Sequence, residues 1–265
     1  MIPAKKSLGQ NFLVDENAAW KIIDAADIKP DDTVVEIGPG HGVLTEKLAE
    51  RAGRVIAIEL DGRLYESLRR EFAEKQNVEV VLADALKYDY EAIGAGVKVV
   101  ANLPYYISTP ILSRLIKART NIRLMVLMLQ KEVAERITAQ PGGKDYGYLS
   151  VMVQLYTEPR AMFDVSRESF KPVPKVDSSV VRLAVREAPA AACRDYSLFE
   201  RVVSASFSLR RKTLKNALKA SDLFTDEGLA GLSDSGIDPI RRAETLTVPE
   251  FARLTDFLFE FRKTK

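Results

Sequence analysis

Four short apolar runs, Thr33 to Ile37, Arg54 to Glu59, Val78 to Leu82 and Val97 to Ala101, recur with helix-like segments between them. Strands that alternate with helices read as β-α-β-α, and such a chain closes most simply into an open, mostly parallel, doubly wound sheet. A fifth run, Arg123 to Gln130, leads into a charged helical stretch from Lys131, and the β-branched run Ser178 to Val185 adds a late strand. After Arg186 the segment Glu187 to Arg194 loses all periodicity, which places a boundary between a domain of residues 1–186 and a second of 187–265. The second has helical apolar spacing at Leu198, Val202 and Ala205, at Leu214 and Leu218, and at Phe251, Leu254 and Leu258, so it is expected to be a small all-helical domain.

With 265 residues, 46% of them hydrophobic, the chain can bury one full core and a smaller second one. Its 39 basic and 37 acidic residues leave a net charge of +2, too balanced to announce a nucleic-acid partner except through local clustering. The single cysteine, Cys193, excludes an internal disulfide, and with a single histidine, His41, it leaves no Cys/His zinc site, so metal-free chemistry is expected. No stretch approaches the roughly 20 apolar residues of a membrane span, and the N-terminus lacks an apolar signal core, so a cytoplasmic protein is expected.

The first strand runs into Glu36-Ile-Gly38-Pro-Gly40-His-Gly42 and then a helical run, Val43 to Arg51. Glycines at such a turn let backbone approach a ligand that a β-carbon would block. A dinucleotide fingerprint would need a glycine where Val43 stands, which weakens a nicotinamide-oxidoreductase reading. Glu59 ends the second strand, where a carboxylate can accept from two vicinal ribose hydroxyls, and Asp84 follows the third, suited to an adenine amine. Taken singly, these are ordinary turn residues, a solvated strand end and a helix N-cap. At three successive strand ends they point together to an adenosyl ligand.

The fourth strand ends in Asn102-Leu103-Pro104-Tyr105. An adenine amine is a poor nucleophile because its lone pair is delocalised, so what helps it is a pair of acceptors that hold both hydrogens while the nitrogen rehybridises. The Asn102 side-chain oxygen is one. The Leu103 carbonyl, kept extended by Pro104, is the other, and Tyr105 offers a flat face to a flipped base. The alternative is Asn and Pro loop punctuation with tyrosines in the core.

These motifs resemble those of the KsgA (RsmA) ribosomal RNA adenine dimethyltransferases, sisters of the Erm resistance methyltransferases, and the resemblance runs nearly end to end. Lys6 to Leu13 is similar to the family's N-terminal cofactor motif, and Glu36 to Gly42, Glu59, Asp84-Ala85 and Asn102 to Tyr105 to its successive cofactor and catalytic motifs. The resemblance implies a Rossmann-like class I methyltransferase domain with a mostly parallel seven-stranded sheet. It also implies S-adenosyl-L-methionine as cofactor, held by Asn11, Leu13, Gly38, Glu59, Asp84 and Asn102. Phe170-Lys-Pro172-Val-Pro174-Lys-Val-Asp-Ser178 matches the family's proline-rich loop, implying that Phe170 stacks on the target adenine opposite Tyr105.

From Arg201 to Lys219 there is no acidic residue, and Arg201, Arg210, Arg211, Lys212, Lys215 and Lys219 form the basic stripe that phosphate binding requires, unless it is merely a solvated helix face. Phe207 to Asn216 and Ile237 to Leu246 resemble parts of the KsgA C-terminal domain. The implied partner is small-subunit ribosomal RNA within an assembling 30S particle, met by a monomer. The implied reaction is N6,N6-dimethylation of two adjacent adenines in a 16S hairpin. A noncatalytic RNA-binding assembly factor would keep the fold and basic stripe but lose the strand-end acceptors, and Asn102 is intact.

Overall fold

The computed structural model describes residues 2–263. In chain order the elements are β1 (Phe12–Leu13), α1 (Glu16–Ala26), β2 (Thr33–Ile37), α2 (Val43–Arg51), β3 (Arg54–Glu59), α3 (Gly62–Glu71), β4 (Val78–Leu82), β5 (Val97–Asn102), α4 (Ser108–Lys117), β6 (Ile122–Gln130), α5 (Lys131–Thr138), α6 (Tyr148–Tyr156), β7 (Thr157–Val165), β8 (Phe170–Lys171), β9 (Ser178–Val185), α7 (Tyr196–Phe207), α8 (Leu214–Lys219), α9 (Asp226–Ala230) and α10 (Val248–Lys263). They fall into two compact units. One comprises residues up to Ala134 with Glu158–Val185, the other Glu135–Thr157 with residues from Arg186 onward.

The first unit is built on a seven-stranded sheet in the order β4-β3-β2-β5-β6-β9-β7. From β4 through β6 every pair is parallel, with Val35 opposite Ile56 and Val99, while β9 runs antiparallel to β6, Met128 facing Val180. The order reverses between β2 and β5. That is the switch point at which a doubly wound sheet opens a crevice at its carboxyl edge. The α/β class and the mostly parallel sheet are those expected from the sequence, and every strand read there is present.

Strands β1, β7 and β8 were not read from the sequence. In β7 only Thr157 and Val165 are buried, so its residues carry no apolar run. The two-residue strands β1 and β8 pair antiparallel, Phe12 with Lys171 and Leu13 with Phe170. No local pattern predicts a ladder between segments so far apart.

In the second unit, α6 buries Leu149, Val151, Val153, Leu155 and Tyr156, and α7 and α10 pack with it. Its apolar surface explains why Glu135–Thr157 groups with the helices here, where a division at residue 186 would leave it with the sheet.

At the amino edge of the sheet, Asp32 and Lys98 are buried and paired at 2.8 Å, and Lys98 also donates to the carbonyls of Ala26 and Asp27. Arg123 closes the network on the other Asp32 oxygen. Removing one member of a buried pair strands the other charge, whereas replacing both with apolar groups does not. Asp32→Ala is therefore expected to cost about 3–5 kcal/mol in urea denaturation, and Asp32→Leu with Lys98→Met to recover most of it. Equal losses in the single and double variants would contradict this.

Candidate functional site

The glycine turn leaves β2 at the switch point, and its glycines do different work. Gly38 and Gly40 have φ of 68° and 62°, a region that side-chain-bearing residues enter at a cost. A β-carbon on Gly40 would lie 2.8 Å from the Phe12 ring, so this glycine makes room for protein. One on Gly38 would meet nothing nearer than the Asn102 carbonyl oxygen at 3.9 Å. Gly38 thus faces open space, a cleft enclosing about 970 Å³ with its mouth included, lined among others by Asn11, Leu13, Glu59, Asn102, Tyr105 and Phe170.

Glu59 is fixed at the end of β3 by backbone donors. Its Oε1 accepts from the amides of Leu60 and Asp61 at 2.9 and 2.8 Å, and its Oε2 from Gly40 at 3.2 Å. Burial pushes its carboxyl above the ordinary range, against the pull of those N–H groups. Its neighbour Glu36 is 1% exposed and accepts from the Thr45 hydroxyl at 2.6 Å. Burial raises the Glu36 carboxyl to about 8, with Glu59 adding to the shift. Burial thus favours the protonated form of Glu36, which lies beside the ribose-suited Glu59 on the cleft floor.

At the end of β5, the Asn102 side-chain amide donates through Nδ2 to the Asn11 carbonyl at 3.1 Å. Its Oδ1 accepts nothing from the described residues and is left for a ligand. The Pro104 carbonyl already accepts from the Ile107 amide and the Ser108 hydroxyl, both at 3.1 Å, so of the two carbonyls after Asn102 the uncommitted acceptor is that of Leu103. Tyr105 is half-buried, and its hydroxyl shares a hydrogen bond of 3.0 Å with Ser178, which is fully buried at the start of β9. The ring is thereby held by its tip.

The β1–β8 ladder draws the N-terminal motif and the proline loop to the same cleft. Leu13 is buried, and Phe170 is 1% exposed and packed in the core with it, so Phe170 lines the cleft as a wall and is not presented on the loop. Asp84 sits less centrally. Its neighbours Ala83 and Ala85 line the cleft, while its own Oδ1 accepts from the Leu86 amide in a turn that the Lys87 amide closes on the Asp84 carbonyl, so no helix begins here. His41 tilts against Phe12 with ring centroids 4.3 Å apart, and its buried Nε2 has no partner among the described residues.

The basic residues lie in the second unit, and the stripe is not one helix face. Ser208 closes α7 and the Thr213 hydroxyl caps α8, so Arg210, Arg211 and Lys212 occupy the turn between them, with Arg201 on α7 and Lys215 and Lys219 on α8. All six are exposed. Arg210 donates to the Lys144 carbonyl, and Lys219 lies 3.8 Å from Asp226; Arg201, Arg211, Lys212 and Lys215 form no ion pair among the described residues.

Sequence reasoning missed three contributors. Glu36 was legible as the acid that opens the glycine turn. The Asn11 backbone carbonyl and Ser178 had no local signal, since each acts only through a residue brought to it by the fold.

A family profile described as Ribosomal RNA adenine dimethylase matches residues 1–260. Among curated proteins, the Ribosomal RNA small subunit methyltransferase A of Moorella thermoacetica is 50% identical over 262 residues, covering 95% of this chain and 91% of that protein. That of Clostridium botulinum is 45% identical over 258 residues, covering 96% and 94%. Among solved structures, a dimethyladenosine transferase from Plasmodium falciparum superposes with a TM-score of 0.81 at 31% identity, covering 95% of this chain and 98% of that one. The 23S rRNA methyltransferase ErmE gives 0.73 at 31% identity, covering 94% and 100%.

The buried Glu36 acid sets a pH dependence. The folded chain keeps a proton between 4.5 and about 8 that the unfolded chain has lost. Stability contributed by this group is full below the lower value and falls as pH rises through the upper one. Glu36→Gln should remove that decline, seen as a smaller difference in urea midpoint between about pH 5 and about pH 8 than in the parent. An unchanged difference would show that Glu36 is ionised in the folded protein.

Proposed function

The chain belongs to the ribosomal RNA adenine dimethylase family, and from that premise we propose that it transfers methyl groups from S-adenosylmethionine to N6 of two adjacent adenines in a small-subunit ribosomal RNA hairpin. The observation that carries this reading is the Asn102 amide, whose donor side is tied to the Asn11 carbonyl so that its acceptor side faces the cleft. The residues fit the cofactor. Gly38 leaves the close approach open, Glu59 suits the ribose hydroxyls, and Asn11 and Leu13 close the cleft from the N-terminal side. Asp84, at the rim, is assigned to the adenine amine.

S-adenosylmethionine supplies an electrophilic methyl on a sulfonium. The protein's own part is to bind and orient. Asn102 Oδ1 and the Leu103 carbonyl accept the two amine hydrogens of the target adenine, pulling its nitrogen out of conjugation, while Pro104 fixes the direction of that carbonyl. Tyr105 offers a stacking face, and Phe170, in the wall of the same cleft, is assigned as the second aromatic surface for the base. No general base is needed, because the proton is acidic once the nitrogen carries the new methyl. Arg201, Arg210, Arg211, Lys212, Lys215 and Lys219 of the helical unit bind phosphate, and the substrate in the cell is an assembling 30S particle met by a monomer in the cytoplasm.

Incubation with labelled cofactor and either small-subunit particles or large-subunit RNA, followed by mapping of modified nucleosides, tests this directly. Adjacent N6,N6-dimethyladenosines in the small-subunit RNA are expected. Label in large-subunit RNA alone would favour an Erm-type activity, and no label at all a binding role. Tyr105 positioning by Ser178 gives a second expectation: Ser178→Ala and Tyr105→Phe each raise the transition-state energy by about 1 kcal/mol, the double variant no more than either, and cofactor affinity holds. Additive losses would mean the two side chains act separately.

A further inference from the structure

Among the described residues, Ile240 is the most exposed large apolar side chain, at 74%. It stands at the tip of a turn from Asp238 to Arg241, in which the Arg241 amide donates to the Asp238 carbonyl at 3.2 Å and the Ile240 amide to Asp238 Oδ1 at 3.0 Å. The third position of such a turn ordinarily takes a small or polar residue, so nothing local asks for a β-branched one.

The turn is held rigidly from both sides. Its Pro239 and Arg241 carbonyls accept from the amides of Lys215 and Leu214, at 3.1 and 2.6 Å, which fastens it to the first turn of α8. The Arg241 guanidinium is spent inward, on Glu250 at 2.6 Å and on the Thr245 carbonyl at 2.6 Å. Ile240 is thus a preorganised projection, and its burial against a partner would cost little ordering entropy. Around it stand exposed cations: Lys215 in the α8 turn that the loop grips, Lys212 just before it, and Arg242 next in the chain. The acid in the turn, Asp238, is engaged with the Ile240 amide.

An apolar tip with exposed cations beside it is the complement of a nucleic acid, which offers phosphates at its edges and apolar ribose and base surface between them. We propose that Ile240 is an RNA-contacting wedge, seated on a sugar or base face of the ribosomal RNA while Lys212 and Lys215 hold the flanking phosphates. The proposal rests on the reading that this chain acts on ribosomal RNA, and it adds a contact that carries no charge.

That absence of charge supplies the test. Equilibrium binding of deproteinised small-subunit ribosomal RNA is measured across a potassium chloride series for the parent, Ile240→Ser, Ile240→Leu and Lys215→Ala. Ile240→Ser should weaken binding about tenfold at every salt concentration with an unchanged salt slope, since an apolar contact releases no counterions. Ile240→Leu should bind as the parent does. Lys215→Ala should lower the slope by about one. An unchanged thermal midpoint in Ile240→Ser shows that its loss is not one of folding. Parent-like binding of deproteinised RNA by Ile240→Ser would overturn the proposal. So would a loss seen only with complete small-subunit particles, which would make the partner a ribosomal protein. Failure of the parent itself to bind this RNA would instead bring down the functional reading on which the proposal rests.

Discussion

Parallel pairing of β4, β3, β2, β5 and β6 is the constraint on which the site depends. Because these strands run the same way, Glu36 with its glycine turn, Glu59, Asp84 and Asn102 all arrive at one edge of the sheet, although α2, α3 and a connection without an α-helix between β4 and β5 separate them in sequence. The reversal of strand order between β2 and β5 then opens that edge into a cleft. Nothing about the chemistry of any one of these residues would make a site without that register.

The second requirement is met by a segment that adds almost nothing to the sheet. The N-terminal strap pairs with the proline loop through β1 and β8, puts the Phe12 ring where a Gly40 side chain would be, and brings the Asn11 carbonyl to the Asn102 amide. A carboxamide can present either its donor or its acceptor to a ligand. The strap decides which. The same division of labour recurs at Pro104, whose carbonyl is occupied by Ile107 and Ser108, and at Tyr105, whose hydroxyl is occupied by Ser178.

The legible part of this protein is the part encoded locally. The apolar runs at Thr33, Arg54, Val97 and Ser178 name their strands because a buried strand must be apolar along most of its length, the half-exposed edge strand at Val78 shows through its β-branched residues, and Gly38, Glu59 and Asn102 announce themselves at the ends of those runs. The edge strand β7 was invisible because exposed residues such as Glu158 and Met162 need no such pattern. The burial of Phe170 had no local signal in the proline loop, because its antiparallel partner Leu13 lies far away in sequence. The basic run gives no local sign of where its helices break, and the Thr213 cap that divides it into turn and helix depends on backbone geometry. Local pattern carries the scaffold and the chemistry-bearing residues, and long-range pairing sets how those residues point.

Asn102 is central to the reaction as an acceptor for the reacting amine. Single-turnover methyl transfer by Asn102→Ala, at saturating cofactor and small-subunit substrate, measures that directly. Loss of one preorganised transition-state partner should raise the barrier by roughly 2.7–4 kcal/mol, a fall in rate on the order of a hundred- to a thousandfold, with RNA affinity retained. A variant that transfers methyl groups as fast as the parent would remove Asn102 from the reaction and contradict the account.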